Sequence, residues 1–197
     1  MNRKSNELAE IHMTIPSVKP TREAMLACVA RFQDLRRCET GLPDMQLPDC
    51  KRAFYNVLGF DQPKGEGKFS PFGDRAEAHV SHLTAGFGVS FIAAEPGKGV
   101  LMHTHDTVET FMVMKGVWKL EWEGDQGDEH VILQPLDFVA FPMGVQRRFE
   151  CVEAPAGETE GLLLGVIGGT APAAEISIGG IERLIEAGIF QRETSTA

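Results

Sequence analysis

Gly97-Lys98-Gly99-Val100-Leu101-Met102-His103-Thr104-His105-Asp106-Thr107-Val108-Glu109-Thr110-Phe111-Met112-Val113-Met114-Lys115-Gly116 is the stretch that decides how this chain is read. Two histidines and a carboxylate fall within seven positions, and glycines frame them. His103 and His105 are two residues apart, so on an extended strand both side chains point to the same face. Glu109 follows after Asp106-Thr107-Val108, at the start of an apolar run, and a turn there brings its carboxylate back over the two imidazoles. Two imidazoles and one carboxylate on one side of an ion make the facial set of non-haem iron sites, which leaves other positions open. Manganese, zinc and nickel take similar donors, so the pattern predicts a divalent metal site without naming the metal.

Downstream runs Leu136-Asp137-Phe138-Val139-Ala140-Phe141-Pro142-Met143-Gly144-Val145-Gln146-Arg147. The first stretch resembles the first motif of the cupin superfamily, with Gly97, His103, His105, Glu109 and Gly116 at its defined positions. The second is similar to the second cupin motif: Asp137, Pro142 and Gly144 match. Leu136 stands where that motif has glycine, and Arg147 where it has histidine. The resemblance spans residues 85–168. It implies an all-β jelly-roll barrel, a bound divalent metal ion (iron, manganese, zinc or nickel), a small-molecule ligand and a homodimer. The reactions it implies are broad, because cupins include dioxygenases, isomerases, decarboxylases and lyases.

Arg147 is the informative departure. Alternation puts Arg147, Phe149 and Cys151 on the interior face of their strand, and the polar Gln146, Arg148 and Glu150 on the other. Two unit charges 4 Å apart interact by about 4 kcal/mol at an effective dielectric of about 20, so a guanidinium facing a divalent ion costs roughly twice that. Arg147 therefore does not simply take the histidine's place. Three arrangements are open. It anchors an anionic substrate whose other end reaches the metal, which suits the bidentate chemistry of arginine. It pairs with Glu109 in a metal-free pocket. Or a bulge slips the strand by one residue and turns Gln146 inward as a fourth ligand. His82, from a neighbouring strand, is the other candidate for a fourth ligand. Phe111, Phe141 and Phe149 are read as core or pocket wall, and Trp118 and Trp122 as core. His79 and His130 are read as surface or structural, and Asp137 as a turn residue.

The rest of the chain frames this site. Its 197 residues suit one domain with a substantial core, and 43% hydrophobic with 24% charged residues is an ordinary soluble composition. A net charge of −9 argues against nonspecific nucleic-acid binding. No apolar run approaches the roughly 20 residues of a membrane helix. The four cysteines show no paired spacing and are read as free thiols of a cytoplasmic protein. Residues 1–77 form an N-terminal extension: residues 1–12 stand outside the fold, residues 21–38 have the spacing of an amphipathic helix capped by Thr21, and 40–50 is a loop. Arg52 to Phe60 is an apolar piece of undecided type, and residues 62–73 are a linker or lid. The barrel takes residues 78–170, with short strands separated by turns. Residues 171–197 form a tail with a helix from Ile181 to Ile189. Several strands are apolar on both faces, so the N-terminal segment, the C-terminal helix or a partner subunit must cover them.

The expected function is a metal-dependent enzyme on a small anionic organic molecule, with dioxygenase chemistry favoured and isomerase or decarboxylase chemistry the alternative. A non-catalytic binding or sensor module, with metal absent or structural, is the reading from another class. No phosphate-binding glycine loop, serine nucleophile elbow or paired-cysteine zinc motif is present.

Overall fold

The computed structural model describes residues 15–59, 70–72, 77–169 and 171–192. The expectations for residues 1–12, and for 62–69 and 73 of the linker or lid, lie outside the described residues. In chain order the elements are α1 (Arg22–Leu26), β1 (Ala53–Leu58), β2 (Phe87–Ala94), β3 (His103–His105), β4 (Glu109–Lys115), β5 (Val117–Gly124), β6 (Gly127–Leu133), β7 (Phe138–Phe141), β8 (Arg147–Glu153), β9 (Gly161–Gly168), β10 (Ala174–Ile176) and α2 (Ile178–Glu186). The strands form two five-stranded sheets, ordered β1-β2-β9-β4-β7 and β10-β3-β8-β5-β6. Every ladder within them is antiparallel.

The inner faces follow from period-two alternation. Phe111 and Val113 of β4, Trp118 and Leu120 of β5, Phe149 and Cys151 of β8 and Leu163 of β9 are all buried in one core. Register keeps these positions opposed: Leu120 faces Phe149 and Trp118 faces Cys151 across the β5–β8 ladder. The Phe149 ring meets Phe111 and Trp118 edge-on at centroid distances of 5.4 and 5.8 Å. The Trp118 indole N–H, taken out of water, donates to the Lys115 carbonyl at 3.0 Å. This is the jelly-roll arrangement the sequence predicts, with the inner ends of β3, β4 and β8 carrying the candidate site.

The outer apolar faces are covered as expected, though by a different structure. Leu35, Ala53, Tyr55 and Ala93 are buried together outside β1 and β2. Phe32 lies over Tyr55 and Phe91 at 5.0 and 5.3 Å between ring centroids. The helix expected over residues 21–38 stops at Leu26; Thr21 caps it as predicted, accepting from the Ala24 N–H at 3.2 Å. The apolar spacing of Met25, Val29 and Phe32 is genuine, but Met25 and Val29 stay exposed. The chain instead straightens so that Cys38 and Phe54 exchange backbone hydrogen bonds at 2.9 and 2.8 Å. A tertiary pairing overrides local helical preference here. The undecided apolar piece is β1, which pairs with β2 as a sheet edge, so the N-terminal extension is not helix and loops alone.

At the C-terminus α2 starts at Ile178, capped by Ser177, and ends at Glu186, earlier at both ends than predicted. Its Leu184 is buried with Leu47, Cys50 and Leu101. All four cysteines are free. No helix among the described residues is long and apolar enough to cross a membrane.

The two glycines that frame the first motif have distinct tasks. Gly97 (φ +77°) and Gly116 (φ +80°) both occupy the left-handed region. A Cβ at Gly97 meets open space, whereas one at Gly116 runs into the Glu153 carbonyl. In the second motif Leu136, where glycine was expected, adopts φ +75°. The adjoining Asp137 does serve the turn, its carboxylate accepting the Gln134 N–H at 2.8 Å.

Candidate metal centre

His103 and His105 occupy alternate positions of β3 and project to the same face, as their spacing requires. Glu109 opens β4 after a three-residue excursion and returns beside them. One donor atom from each of the three lies within 4.8 Å of the other two. The His103 and His105 rings stand 5.1 Å apart and nearly perpendicular, at 87°. His105 Nε2 lies 3.7 Å from Glu109 Oε2.

Two backbone carbonyls fix the imidazoles. His103 Nδ1 lies 2.8 Å from the Leu101 carbonyl, and His105 Nδ1 lies 2.9 Å from the Ala173 carbonyl. A carbonyl only accepts, so each Nδ1 carries the hydrogen and each Nε2 keeps its lone pair. Burial holds the His103 pKa down to about 4, against the opposing pull of the Glu109 charge. Burial lowers that of His105 too, with Glu109 again pulling the other way. Both rings are therefore neutral near pH 7, the form a metal requires. Oriented neutral imidazoles beside a carboxylate fit a divalent ion of the iron, manganese, zinc or nickel type.

Arg147 enters the interior, as alternation predicts, and is 1% exposed. Its Cα partner across the β3–β8 ladder is His103. Its Nε and Nη2 both donate to Glu109 Oε2, at 3.2 and 2.9 Å, and its Nη1 donates to the Val145 carbonyl at 3.1 Å. The guanidinium is thus engaged with Glu109, the pairing that the second of the three arrangements contains. The β8 register runs without a slip from Arg147 to Cys151, so the bulge that would turn Gln146 inward is absent from that ladder. His82 is exposed, with its Nε2 3.4 Å from the Cys28 sulfur, and does not face the cluster. His79 and His130 are also exposed.

The cluster opens on a cavity of about 420 Å³. Phe149 lines it, whereas Phe111 and Phe141 lie in the core behind. The Phe141 ring sits 6.0 Å from the Arg147 guanidinium carbon. Other cavity residues carried no signal in the sequence. Leu42, Asp44 and Phe54 come from segments read as loop or undecided, and Ala173 from the tail. Arg52 and Asp44 form a buried pair at 3.0 Å in the cavity wall. The nearest hint was Arg52 at the head of an apolar run.

No family model and no curated protein matches this sequence. Solved structures do match. A cupin-superfamily sugar phosphate isomerase from Silicibacter pomeroyi superposes with a TM-score of 0.50 at 22% identity, over 75% of this chain and 80% of that one. The oxalate decarboxylase of Lactobacillus farciminis matches with a TM-score of 0.49 at 11% identity, and a vicilin of Solanum melongena with 0.49 at 16%. These cover 73% and 80% of this chain, which itself spans 34% and 36% of theirs. With its paired antiparallel sheets, its inward His-His-Glu group and its likeness to the Silicibacter structure, this chain has the fold of the cupin superfamily.

Proposed function

We propose that this protein is a metal-dependent enzyme in which His103, His105 and Glu109 hold one divalent ion, and a small organic molecule reaches that ion through its oxygens. The observation that carries the reading is the convergence of two Nε2 lone pairs and a carboxylate, with both Nδ1 atoms already committed to backbone carbonyls. When bound, the ion supplies Lewis acidity and, if it is iron, dioxygen chemistry. The chain's own residues do the rest. The Leu101 and Ala173 carbonyls set the imidazole tautomers, Arg147 holds the Glu109 carboxylate in place through two hydrogen bonds, and apolar walls exclude water from the reacting end.

Among reactions we favour a dioxygenase-type oxidation, because three donors leave several positions for substrate and dioxygen. An isomerase of the kind named for the Silicibacter neighbour is less well supported. A sugar phosphate calls for unpaired cations, and Arg52 and Arg147 are both engaged with carboxylates. The test is dioxygen uptake by iron-loaded protein across a panel of small chelating substrates, with His105→Ala as control. Uptake that disappears in the variant supports the reading, and none across the panel counts against oxidation.

One observation favours a second reading. The Arg147–Glu109 pair already neutralises the carboxylate, as a metal-free binding module would require. Ligand affinity that survives chelation would support that module. The proposal includes a homodimer, which would cover the exposed Val131, Ile132, Leu136 and Phe138, and is checked by light scattering. It also places the protein in the cytoplasm, in keeping with four free thiols.

A further inference from the structure

The cavity before the three donors says what kind of molecule it takes. A water molecule occupies about 30 Å³ in the liquid, so about 420 Å³ admits a ligand on the order of ten to twenty non-hydrogen atoms. Phe54, Phe72, Ile92, Val100, Phe149 and Ile167 give its wall a broad apolar part, with Ser90 and Glu175 among the polar residues that also line it. Four of these, Phe54, Phe72, Ile92 and Phe149, are continuous with the buried core.

The cations near it are committed. Among the described residues, Arg52 is the one arginine or lysine in the wall. Its side chain is 0% exposed and its terminal nitrogens serve Asp44 and the Cys50 and Gly99 carbonyls. Arg147 stands behind Glu109 and does not line the space. A phosphorylated ligand would lose water here with no uncommitted arginine or lysine among the described wall residues to replace it, which is costly. The one cluster of potential metal ligands among the described residues is His103, His105 and Glu109.

We infer that the ligand is a molecule with an apolar body, an aromatic ring or a branched aliphatic chain, carrying a single chelating oxygen head. A catecholate, an enolate or a keto acid has this form. The head faces the ion and the body lies along Phe54, Phe72 and Phe149. The inference rests on the metal-site reading for the head and on the wall alone for the body.

Calorimetry on zinc-loaded, full-length protein tests it with 4-tert-butylcatechol, catechol, oxalate and fructose 6-phosphate as probes. Zinc is redox-inert, so binding is read without turnover. The tert-butyl group is expected to tighten binding at least about tenfold over catechol, as apolar burial requires. Oxalate and fructose 6-phosphate are expected to bind more weakly than either. Val100→Thr, nearly isosteric, is expected to weaken 4-tert-butylcatechol by about three- to tenfold with zinc content unchanged. Tighter binding of oxalate or fructose 6-phosphate, or no gain from the tert-butyl group, overturns the inference. If zinc does not bind, the metal reading falls. The preference for 4-tert-butylcatechol over catechol in the metal-free protein then decides the body separately.

Discussion

Replacing Arg147 by methionine removes the guanidinium and keeps much of the side-chain volume. In the native protein two of its N–H groups converge on one Glu109 oxygen, at 3.2 and 2.9 Å. The two side chains are 1% and 13% exposed. Removing one partner of a buried ion pair costs about 3–5 kcal/mol, because the other charge is left uncompensated. Glu109 borders the cavity and keeps some access to water, which sets the expectation at the lower end, about 3 kcal/mol for metal-free protein. Domains of this size are stable by about 5–15 kcal/mol, so the loss is large enough to measure. A bound divalent ion compensates Glu109 in place of the guanidinium and is no longer repelled by it. The same substitution should then cost about 1 kcal/mol, a difference that appears as metal affinity raised about thirtyfold. Urea unfolding with chelator and with saturating zinc gives both costs, and competition with a chromophoric chelator gives the affinity. A loss under about 1 kcal/mol in chelator, or weaker zinc binding by the variant, would refute the reasoning.

Leu136→Gly should stabilise the protein by about 0.5–1 kcal/mol in urea unfolding, since it relieves a left-handed leucine at φ +75°. Gly97→Ala should cost only the backbone term, about 1–2 kcal/mol. Gly116→Ala should cost clearly more, because its Cβ also meets the Glu153 carbonyl; equal losses would show that the close approach is unimportant. Burial, with Asp44 and Asp49 adding to it, pushes the Cys50 thiol up to about 12 from 9.0. The unfolded chain therefore releases a proton that the folded one retains, and stability falls as pH rises from about 9 toward about 12. Between pH 8 and 10 the wild type should lose about 1 kcal/mol more than Cys50→Ala, and parallel losses would contradict the burial.

The strands were legible because alternation is a local signal. Trp118, Leu120 and Arg147 face inward as their spacing requires, and His103 and His105 share a face for the same reason. What the sequence could not show was held by contacts between distant residues. Residues 21–38 have helical spacing, yet Cys38 is drawn to Phe54 and Phe32 to Tyr55 and Phe91, and the helix ends after five residues. The inward turn of Arg147 could be read, but not its choice of Glu109, which depends on how closely β4 and β8 approach inside the barrel. The Ala173 carbonyl that fixes His105 comes from 68 residues away, and Asp44 reaches Arg52 from a loop without periodicity. His82 failed as a ligand because it stays on the surface, beside Cys28.

Elemental analysis of untagged protein, purified without chelator beside a His103→Ala control, tests whether the His103–His105–Glu109 group holds a metal. About one equivalent of iron, manganese, nickel or zinc per chain, lost in the variant, is the predicted result. No metal in the wild type, even after anaerobic reconstitution, would contradict it and leave Glu109 to Arg147 alone.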